Sequence, residues 1–556
     1  MAASTTISVL PRPSQLAEAL AKIAPGELSK SPLLGILGVI IGAGTVTLTG
    51  RMITLGLADL KGHLGIGFDN GAWIGTAFNM ALMFIGPFTV YLGALMGPRR
   101  ILFAAATAFA VICALLPLVH DYRLLLAGVI LAGLTSGTFY PLTLTFALRN
   151  IPLRYLPFTV ALYATSVDGA VNIAPSLYGW YREHLSWHWM FWNSAVIAPV
   201  MMACIYFGIP AAPAAKKSSS PPSFEGFLYA SIGFAMLLGA FEQGERLDWW
   251  RSGVFTALIT AGGFLVGCSL VRRLRSPNPL VDMPYLRQWN TTVLGIGLFF
   301  FRFCLVATII LIPQSLALHG FEADQIGPAL IWSAVPLPLI ALIGGLLLLA
   351  RVDSRLILAS GFVFMALACC LNAEITSAWS ASNYYRTELL MGTGQAFAFI
   401  GLVSTIILQG IFSGGLSKPQ WILTFSAFFH TVRLFGGNIG AVIMGHFIAH
   451  REKVHSNLLG LHVGSGSWIT NGNVGGLAAG LSPHSPSLVA ATGRAVGIIS
   501  GRLRLQAYTL SLMDGFYLVA WACVIALLLL VLLRKSPLNY ADLSLIPSPS
   551  APGAKS

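Results

Sequence analysis

The stretch SVDGAVNIAPSLYGWY, residues 166–181, lies in an apolar segment (157–181) that is long enough to cross a bilayer. It contains one acid, Asp168, together with Pro175 and Gly179. An ionisable side chain at mid-bilayer costs about 2.5–3.5 kcal/mol on insertion scales, so one found there usually faces a cavity or a partner. The stretch therefore predicts a transmembrane helix with a role beyond crossing the membrane.

The whole chain has the composition of a membrane protein. Of its 556 residues 56% are hydrophobic and only 10% are charged, too few charges to cover a soluble protein of this size. Isolated segments in lipid must satisfy their backbone groups internally, and spans of this length exclude a β-barrel, so the fold class is an all-α polytopic membrane protein. The pattern predicts fourteen transmembrane helices, at about 33–57, 73–96, 100–119, 123–147, 157–181, 188–209, 224–243, 253–272, 291–316, 327–350, 355–373, 386–412, 421–449 and 512–534.

The charges are distributed by loop. The net charge is +13, and basic residues gather in alternate loops, as at Arg99, Arg100, Lys216 and Lys217, while acids such as Glu245 lie in the opposite short loops. By the positive-inside rule both termini are predicted to be cytoplasmic. The charge is thus topological, and nucleic acid is excluded as a partner. The seven cysteines all fall in apolar runs without ligand spacing, so no metal and no cofactor is expected.

The order of the predicted spans divides the chain into two six-span halves with two additional spans between them. A Pro/Ser/Lys linker separates the first six spans from the rest, and a Gly/Ser/His-rich outer loop precedes the last span. Two six-helix bundles plus two additional helices are typical of transporters built from repeats. The predicted segments are a cytoplasmic tail without a cleaved signal (1–32), an N-terminal six-helix bundle (33–209), a cytoplasmic linker (210–223), two additional helices (224–272), a cytoplasmic connector (273–290), a C-terminal six-helix bundle (291–534, with the outer loop 450–511) and a cytoplasmic C-terminal tail (535–556).

Several motifs together resemble the major facilitator superfamily. APSLYGWYREHLSWHWMFW (174–192) is similar to the fifth-span antiporter motif and the fourteen-span signature that follows it. NPLVDMPYLRQWN (278–290), IPQSLALHGFEADQIGPAL (312–330) and TVRLFGGNIGAVIMG (431–445) resemble later segments of the same branch. The resemblance implies a fourteen-span drug:proton antiporter of the inner membrane, which exports hydrophobic or amphiphilic compounds. It also implies a periplasmic adaptor and an outer-membrane channel as partners.

The chain departs from this family at its usual acids. The acid of the first span is replaced by Gly50, followed by Arg51, and the loop VYLGALMGPRR (90–100) has Ala94 and Leu95 at the Asp-Arg positions. The second-half copy, LLLLARVDSR (346–355), is interpreted as keeping its arginines without the acid. The usual proton-coupling residues are therefore partly missing.

The remaining candidates fall into three groups. Asp168 is the best remaining carboxylate for proton coupling; the alternative is a structural acid that stays protonated. For the arginine, histidine and phenylalanine candidates named next, the alternatives are tethering of neighbouring helices, packing, or snorkelling to the membrane surface. The proton-coupling candidates are Asp168, Arg51, Arg433 and His430; the cavity-lining candidates are Arg302, Phe301, Phe397 and Phe399; the conformational motif comprises Pro175, Gly179, Gly97, Arg99 and Arg100.

The sequence thus predicts a secondary active transporter that exchanges small molecules for protons across a lipid bilayer. Two other interpretations stay open. The missing acids are compatible with a facilitator or importer that has no proton coupling. A polytopic membrane enzyme is the third, with His184 and His188, or His450 and His455, as its best metal-site pairs, although neither pair has the metalloprotease form.

Overall fold

The computed structural model describes residues 32–142, 155–208, 224–275, 283–412, 419–464, 466–535 and 539–544. Most of the predicted N-terminal tail (1–31), the linker 210–223, residues 276–282 of the connector and most of the C-terminal tail lie outside these residues. Within the described ranges the regular structure is entirely helical. This agrees with the requirement that each membrane segment satisfy its own backbone hydrogen bonds.

The N-terminal bundle and the two additional helices follow in chain order. Five of the six connections between the first seven helices are six residues or shorter, as is common between neighbouring helices of a bundle. The helices are α1 (Pro32–Leu55), α2 (Leu57–Leu64), α3 (Phe68–Met96), α4 (Pro98–Leu115), α5 (Tyr122–Ser136), α6 (Leu156–His184) and α7 (Trp189–Gly208), then α8 (Phe224–Gln243) and α9 (Gly253–Arg275).

The C-terminal bundle follows a short helix, α10 (Met283–Leu286). The first span of this bundle consists of two helices, α11 (Trp289–Cys304) and α12 (Ile312–Leu318), with a π turn at Ala307–Leu311 between them. The helices are α11 (Trp289–Cys304), α12 (Ile312–Leu318), α13 (Ala323–Leu330), α14 (Leu337–Leu349), α15 (Ser354–Asn372), α16 (Tyr385–Phe412), α17 (Pro419–Gly460), α18 (Trp468–Leu481), α19 (Leu488–Val531) and α20 (Tyr540–Ser544).

The observed helices follow the predicted spans in order along the chain. Over the described residues, twelve segments are long and apolar enough to cross a membrane. The helices α6 and α8 fall outside that criterion but pack in the bundle at the fifth and seventh predicted positions. The structure is therefore consistent with the predicted count of fourteen.

The predicted outer loop 450–511 is the largest error in the sequence-based assignment. Helix α17 continues to Gly460, α18 follows, and α19 already begins at Leu488, so most of that segment is helical. Small side chains of α18 and α19, namely Ala478, Ala491 and Ala495, are buried against each other. The glycine-rich composition suggested a loop, but packing between two helices outweighs weak intrinsic propensity.

The predicted span 327–350 is also not a single helix. It begins earlier, at Ala323, and is broken between α13 and α14 by a 3-10 turn, Ile331–Ser333. Pro336 caps α14 at its N-terminus. A proline lacks the backbone N–H that a continuous helix would use at that position, so the chain starts a new helix there.

The two bundles meet along two seams. At the first, α6 packs against α13, α14 and α16; at the second, α3 packs against α17. The additional helix α8 lies on the second seam, where the carboxylate of Glu242 accepts hydrogen bonds from Asn79 of α3 (3.1 Å) and Asn438 of α17 (3.4 Å). The additional helix α8 is therefore attached to both bundles at the line where they meet, and α9 packs against α8.

Candidate functional site

One face of α6 forms most of the first seam. Asp168, Asn172, Ser176 and Gly179 follow one another at helical spacing, so they lie on the same side of the helix. The Nδ2 of Asn172 donates to Oε1 of Gln395 at 3.0 Å, and the hydroxyl of Ser176 donates to the carbonyl oxygen of Gly327 at 2.6 Å. The stretch 166–181 is thus also part of the surface through which the bundles touch.

Asp168 lies at the N-terminal end of this face and is almost completely buried. Neither of its carboxyl oxygens has a hydrogen-bond partner within the described ranges. The charged group that faces it is the guanidinium of Arg302 on α11. A buried carboxyl without a partner is costly to ionise, whereas its neutral form is tolerated, so the site is suited to holding a proton.

Two arginines form a basic pair beside Asp168: Arg302 is half-buried, whereas Arg433 is buried. Arg302 also faces Arg433 of α17, and the Nε and Nη1 atoms of Arg302 have no partner among the described residues. Its side chain lies against Gly436, whose added Cβ would be 3.0 Å from the Cβ of Arg302. The guanidinium carbon of Arg433 is 3.9 Å from the ring centroid of Tyr140, which is a cation–π contact.

His430 lies apart from Asp168, at the second seam. Its Nε2 is 3.0 Å from the carbonyl oxygen of Leu82 on α3, and a Cβ added to Gly86 would be 2.2 Å from its ring. A carbonyl oxygen can only accept, so Nε2 carries the hydrogen in this contact. His430 therefore packs between α17 and α3, and its buried Nδ1 has no hydrogen-bond partner among the described residues.

Arg51 connects the first helix to the C-terminal bundle. Its Nη2 donates to the carbonyl oxygen of Ile309 in the π turn at 2.9 Å. The neighbouring residue, Thr308, accepts a hydrogen bond from Gln395 at 3.0 Å. The arginine that stands near the family's missing acid therefore ties the two bundles together beside the polar contacts of α6.

The aromatic candidates separate into two places. Phe301 and Phe399 are fully buried and stacked, with ring centroids 5.1 Å apart, and Phe429 of α17 stacks on Phe399 at 6.4 Å. Phe397 stacks on Phe364 of α15 instead and is half-buried. Two residues along a helix turn a side chain by about 200°, so the structure does not bring Phe397 to the other pair.

The predicted conformational motif also lies in two places. A Cβ added to Gly179 would be 2.8 Å from the Cα of Asp324, so α6 and α13 approach closely one turn after Pro175. Gly97 has φ of 89° and separates α3 from α4, a conformation that favours glycine. Arg99 lies over the ring of Tyr206 at 4.5 Å. Arg100 is exposed, and no contact of its side chain is described.

The second-half loop contains an acid after all. Asp353 caps α15 by accepting from the backbone N–H of Arg355 at 3.0 Å, and its Oδ2 accepts from Nη2 of the same arginine at 2.7 Å. The interpretation that this copy keeps its arginines without an acid was therefore wrong. The motif's spacing was matched too literally, and a carboxylate two residues before Arg355 was overlooked.

Sequence reasoning also missed Glu388. This residue lies on α16, is fully buried, and has no hydrogen-bond partner for either carboxyl oxygen among the described residues. It stands two residues inside the predicted span 386–412. The sequence contains a signal for it, because Glu388, like Asp168, is an acid within an apolar run.

The histidine pairs do not form metal sites in the structure. His184 stacks on Trp180, whereas His188 stacks on Trp187. His455 contacts Asp514 at 2.7 Å. Within the described ranges, no group of three or more His, Cys, Asp or Glu side chains is arranged to hold a metal ion.

The helical fold, the two bundles and the buried polar seam define a membrane transporter. Residues 39–441 match the sequence profile of the Major Facilitator Superfamily, and the chain belongs to that family.

Curated relatives are similar over most of their length. The chain is 23% identical to the fatty acid resistance protein FarB of Neisseria gonorrhoeae, covering 86% of this chain and 91% of FarB. It is 23% identical to the multidrug export protein EmrB of Escherichia coli K12, covering 73% and 78% respectively. The crystal structure of the human organic anion transporter MFSD10 superposes with a TM-score of 0.48 and 14% identity, covering 88% of this chain and 98% of that one.

Proposed function

We propose that this protein is a proton-coupled exporter of hydrophobic or amphiphilic small molecules, in the inner membrane with both termini in the cytoplasm. The observation that carries the proposal is Asp168, a buried carboxyl without a hydrogen-bond partner in the described structure, on the face where the two bundles meet. The relatives named for multidrug export and fatty acid resistance support export as the direction.

In the proposed mechanism, the contact between the two bundles at the first seam opens and closes. The two bundles rock about a central site, which opens alternately to each side. Asp168 takes up a proton from the outer side while the outer ends of α6 and α13 are apart, and it releases the proton inwards when they close. Arg302 faces the carboxylate and stabilises its ionised form after release. The substrate site lies beside the buried aromatic pair Phe301 and Phe399.

The extension formed by the ends of α17 and α19 with α18 is proposed to project on the outer side. A periplasmic adaptor and an outer-membrane channel are proposed partners on that side, as the resemblance implies. The transport tests below measure movement across the bilayer that holds the chain, so neither partner is added to them.

A facilitator or importer without coupling is the competing function. It is favoured by Gly50 and Arg51 at the usual first-span acid. Uptake into inverted vesicles separates the two, using ethidium, chloramphenicol and oleate, each with and without an imposed pH gradient. Coupled export predicts uptake that depends on acid inside the vesicle. It also predicts loss of that dependence in Asp168→Asn, with normal behaviour of the exposed control Asp248→Asn. Uptake that ignores the gradient in the wild type contradicts the proposal.

A further inference from the structure

Glu388 is a second buried carboxyl, in the C-terminal bundle. Its side chain is fully buried, and neither oxygen has a hydrogen-bond partner among the described residues. An ionised carboxylate in an apolar interior is very costly unless a donor reaches it, so the charge of Glu388 depends on the hydroxyl groups placed around it. The titratable groups that face it are the thiol of Cys369 on α15 and the phenol of Tyr384.

Two hydroxyl groups also face Glu388, those of Thr308 in the π turn and Ser333 in the 3-10 turn. Ser333 donates its hydrogen to the carbonyl oxygen of Leu330 at 2.6 Å. The oxygen of Thr308, by contrast, accepts from Gln395, so its own hydrogen is available to be donated. Thr308 is therefore the group placed to stabilise Glu388 once the acid ionises.

A chain of hydrogen bonds leads from α6 to this hydroxyl. Nδ2 of Asn172 donates to Oε1 of Gln395, and Nε2 of Gln395 donates to Oγ1 of Thr308, each at 3.0 Å. Every donor in the chain points from the N-terminal bundle toward Glu388. Asn172 stands one turn from Asp168 on the same face of α6. The chain is complete only while the two bundles are together at the first seam.

We propose that Glu388 is a second proton-binding site of this transporter, and that the chain Asn172–Gln395–Thr308 makes its protonation depend on whether the bundles are together. This inference rests on the proposed function. With the seam closed, the aligned donors stabilise the ionised carboxylate, and the proton leaves for the cytoplasm. When the seam opens outward, the bond between Asn172 and Gln395 breaks, and Glu388 takes a proton from the outer water onto a carboxyl oxygen.

The experiment counts protons per substrate. Wild type, Glu388→Gln and the exposed control Glu374→Gln are reconstituted in proteoliposomes. The substrate is whichever of ethidium, chloramphenicol or oleate the wild type moves, and a pH dye inside reports proton flux. Glu388→Gln is expected to move one proton fewer per substrate. Each coupled proton contributes about tenfold to the limiting accumulation ratio per pH unit, so that ratio falls by about tenfold.

A second variant covers the case in which Glu388→Gln is inactive or unfolded. Thr308→Val keeps the shape but removes the donated hydrogen, so the ionised form of Glu388 loses its support and the optimum of transport moves to higher pH. An unchanged proton count in a transporting Glu388→Gln overturns the inference, as does an unshifted optimum in Thr308→Val. If the wild type moves substrate without any proton flux, the proposed function itself fails, which is a distinct result.

Discussion

The guanidinium of Arg51 on α1 donates a hydrogen bond to the backbone carbonyl oxygen of Ile309, in the π turn of the C-terminal bundle, at 2.9 Å. A π turn shifts the helical hydrogen-bond pattern by one residue, and such turns are frequent at functional sites. Here the turn also carries Thr308, which accepts from Gln395. One irregular turn thus receives contacts from both the first helix and α16.

Replacing Arg51 by Met is expected to destabilise the closed contact of the bundles. The substitution keeps an apolar stem but removes a partly buried hydrogen bond from a charged donor to the carbonyl oxygen of Ile309, and a hydrogen bond to a charged group contributes about 1.5–3 kcal/mol. The melting temperature of the purified protein in detergent should fall. Arg123→Met is the control, because Arg123 is exposed at the start of α5. If both variants melt like the wild type, the contact does not hold the bundles.

Replacing Gly86 by Ala is expected to lower stability and transport through His430. The new Cβ would lie 2.2 Å from the imidazole ring, which is too close for two heavy atoms that are not bonded to each other. Helix propensity alone favours Ala over Gly by about 1 kcal/mol, so a loss of stability requires the clash. Adding His430→Ala to the Gly86→Ala variant should restore part of the lost stability, and a double-mutant cycle measures how much. Gly75→Ala on the same helix meets nothing within 4 Å and is the control.

Replacing Gly179 by Leu is expected to impair transport without affecting membrane insertion. The added side chain would be directed into the backbone of α13, where a Cβ already lies 2.8 Å from the Cα of Asp324. Lipid solubility is not reduced, so the amount of protein in the membrane should match the wild type. Gly263→Leu on α9, in open space, is the matched control. Normal substrate efflux by Gly179→Leu contradicts a role for the close approach.

The ion pair at the start of α15 predicts a pH dependence of stability. Burial by itself raises the pKa of Asp353, but the hydrogen bonds and charge of Arg355, with Lys535, outweigh it and hold that pKa below its usual value. A lowered pKa adds stability above the unfolded value of about 3.9, and this stability is lost as pH falls through the folded pKa. Asp353→Asn should therefore melt below the wild type at pH 7. The two curves should converge below about pH 4; a constant difference at every pH excludes this linkage.

Reporter fusions test the predicted topology. A reporter fused after Lys217 should be active in the cytoplasm, and one fused within residues 460–500 should be active outside. Seven predicted spans separate the two points, and an odd number places them on opposite sides. Both reporters on one side would refute the count of fourteen spans and the orientation proposed for the extension of α17 to α19.

The sequence alone predicts the helical spans and their order, because the length of an apolar run and the need to satisfy its backbone in lipid are local properties of the chain. It also singled out Asp168, since a lone acid in such a run is visible without any structure. The tertiary structure decided which partners meet: Asn172 and Gln395 are 223 residues apart in the chain. It likewise decided that Glu388 is buried and that much of 450–511 is helical. Side-chain burial and hydrogen bonding depend on which helix faces oppose each other, and hydropathy along one chain does not contain that information.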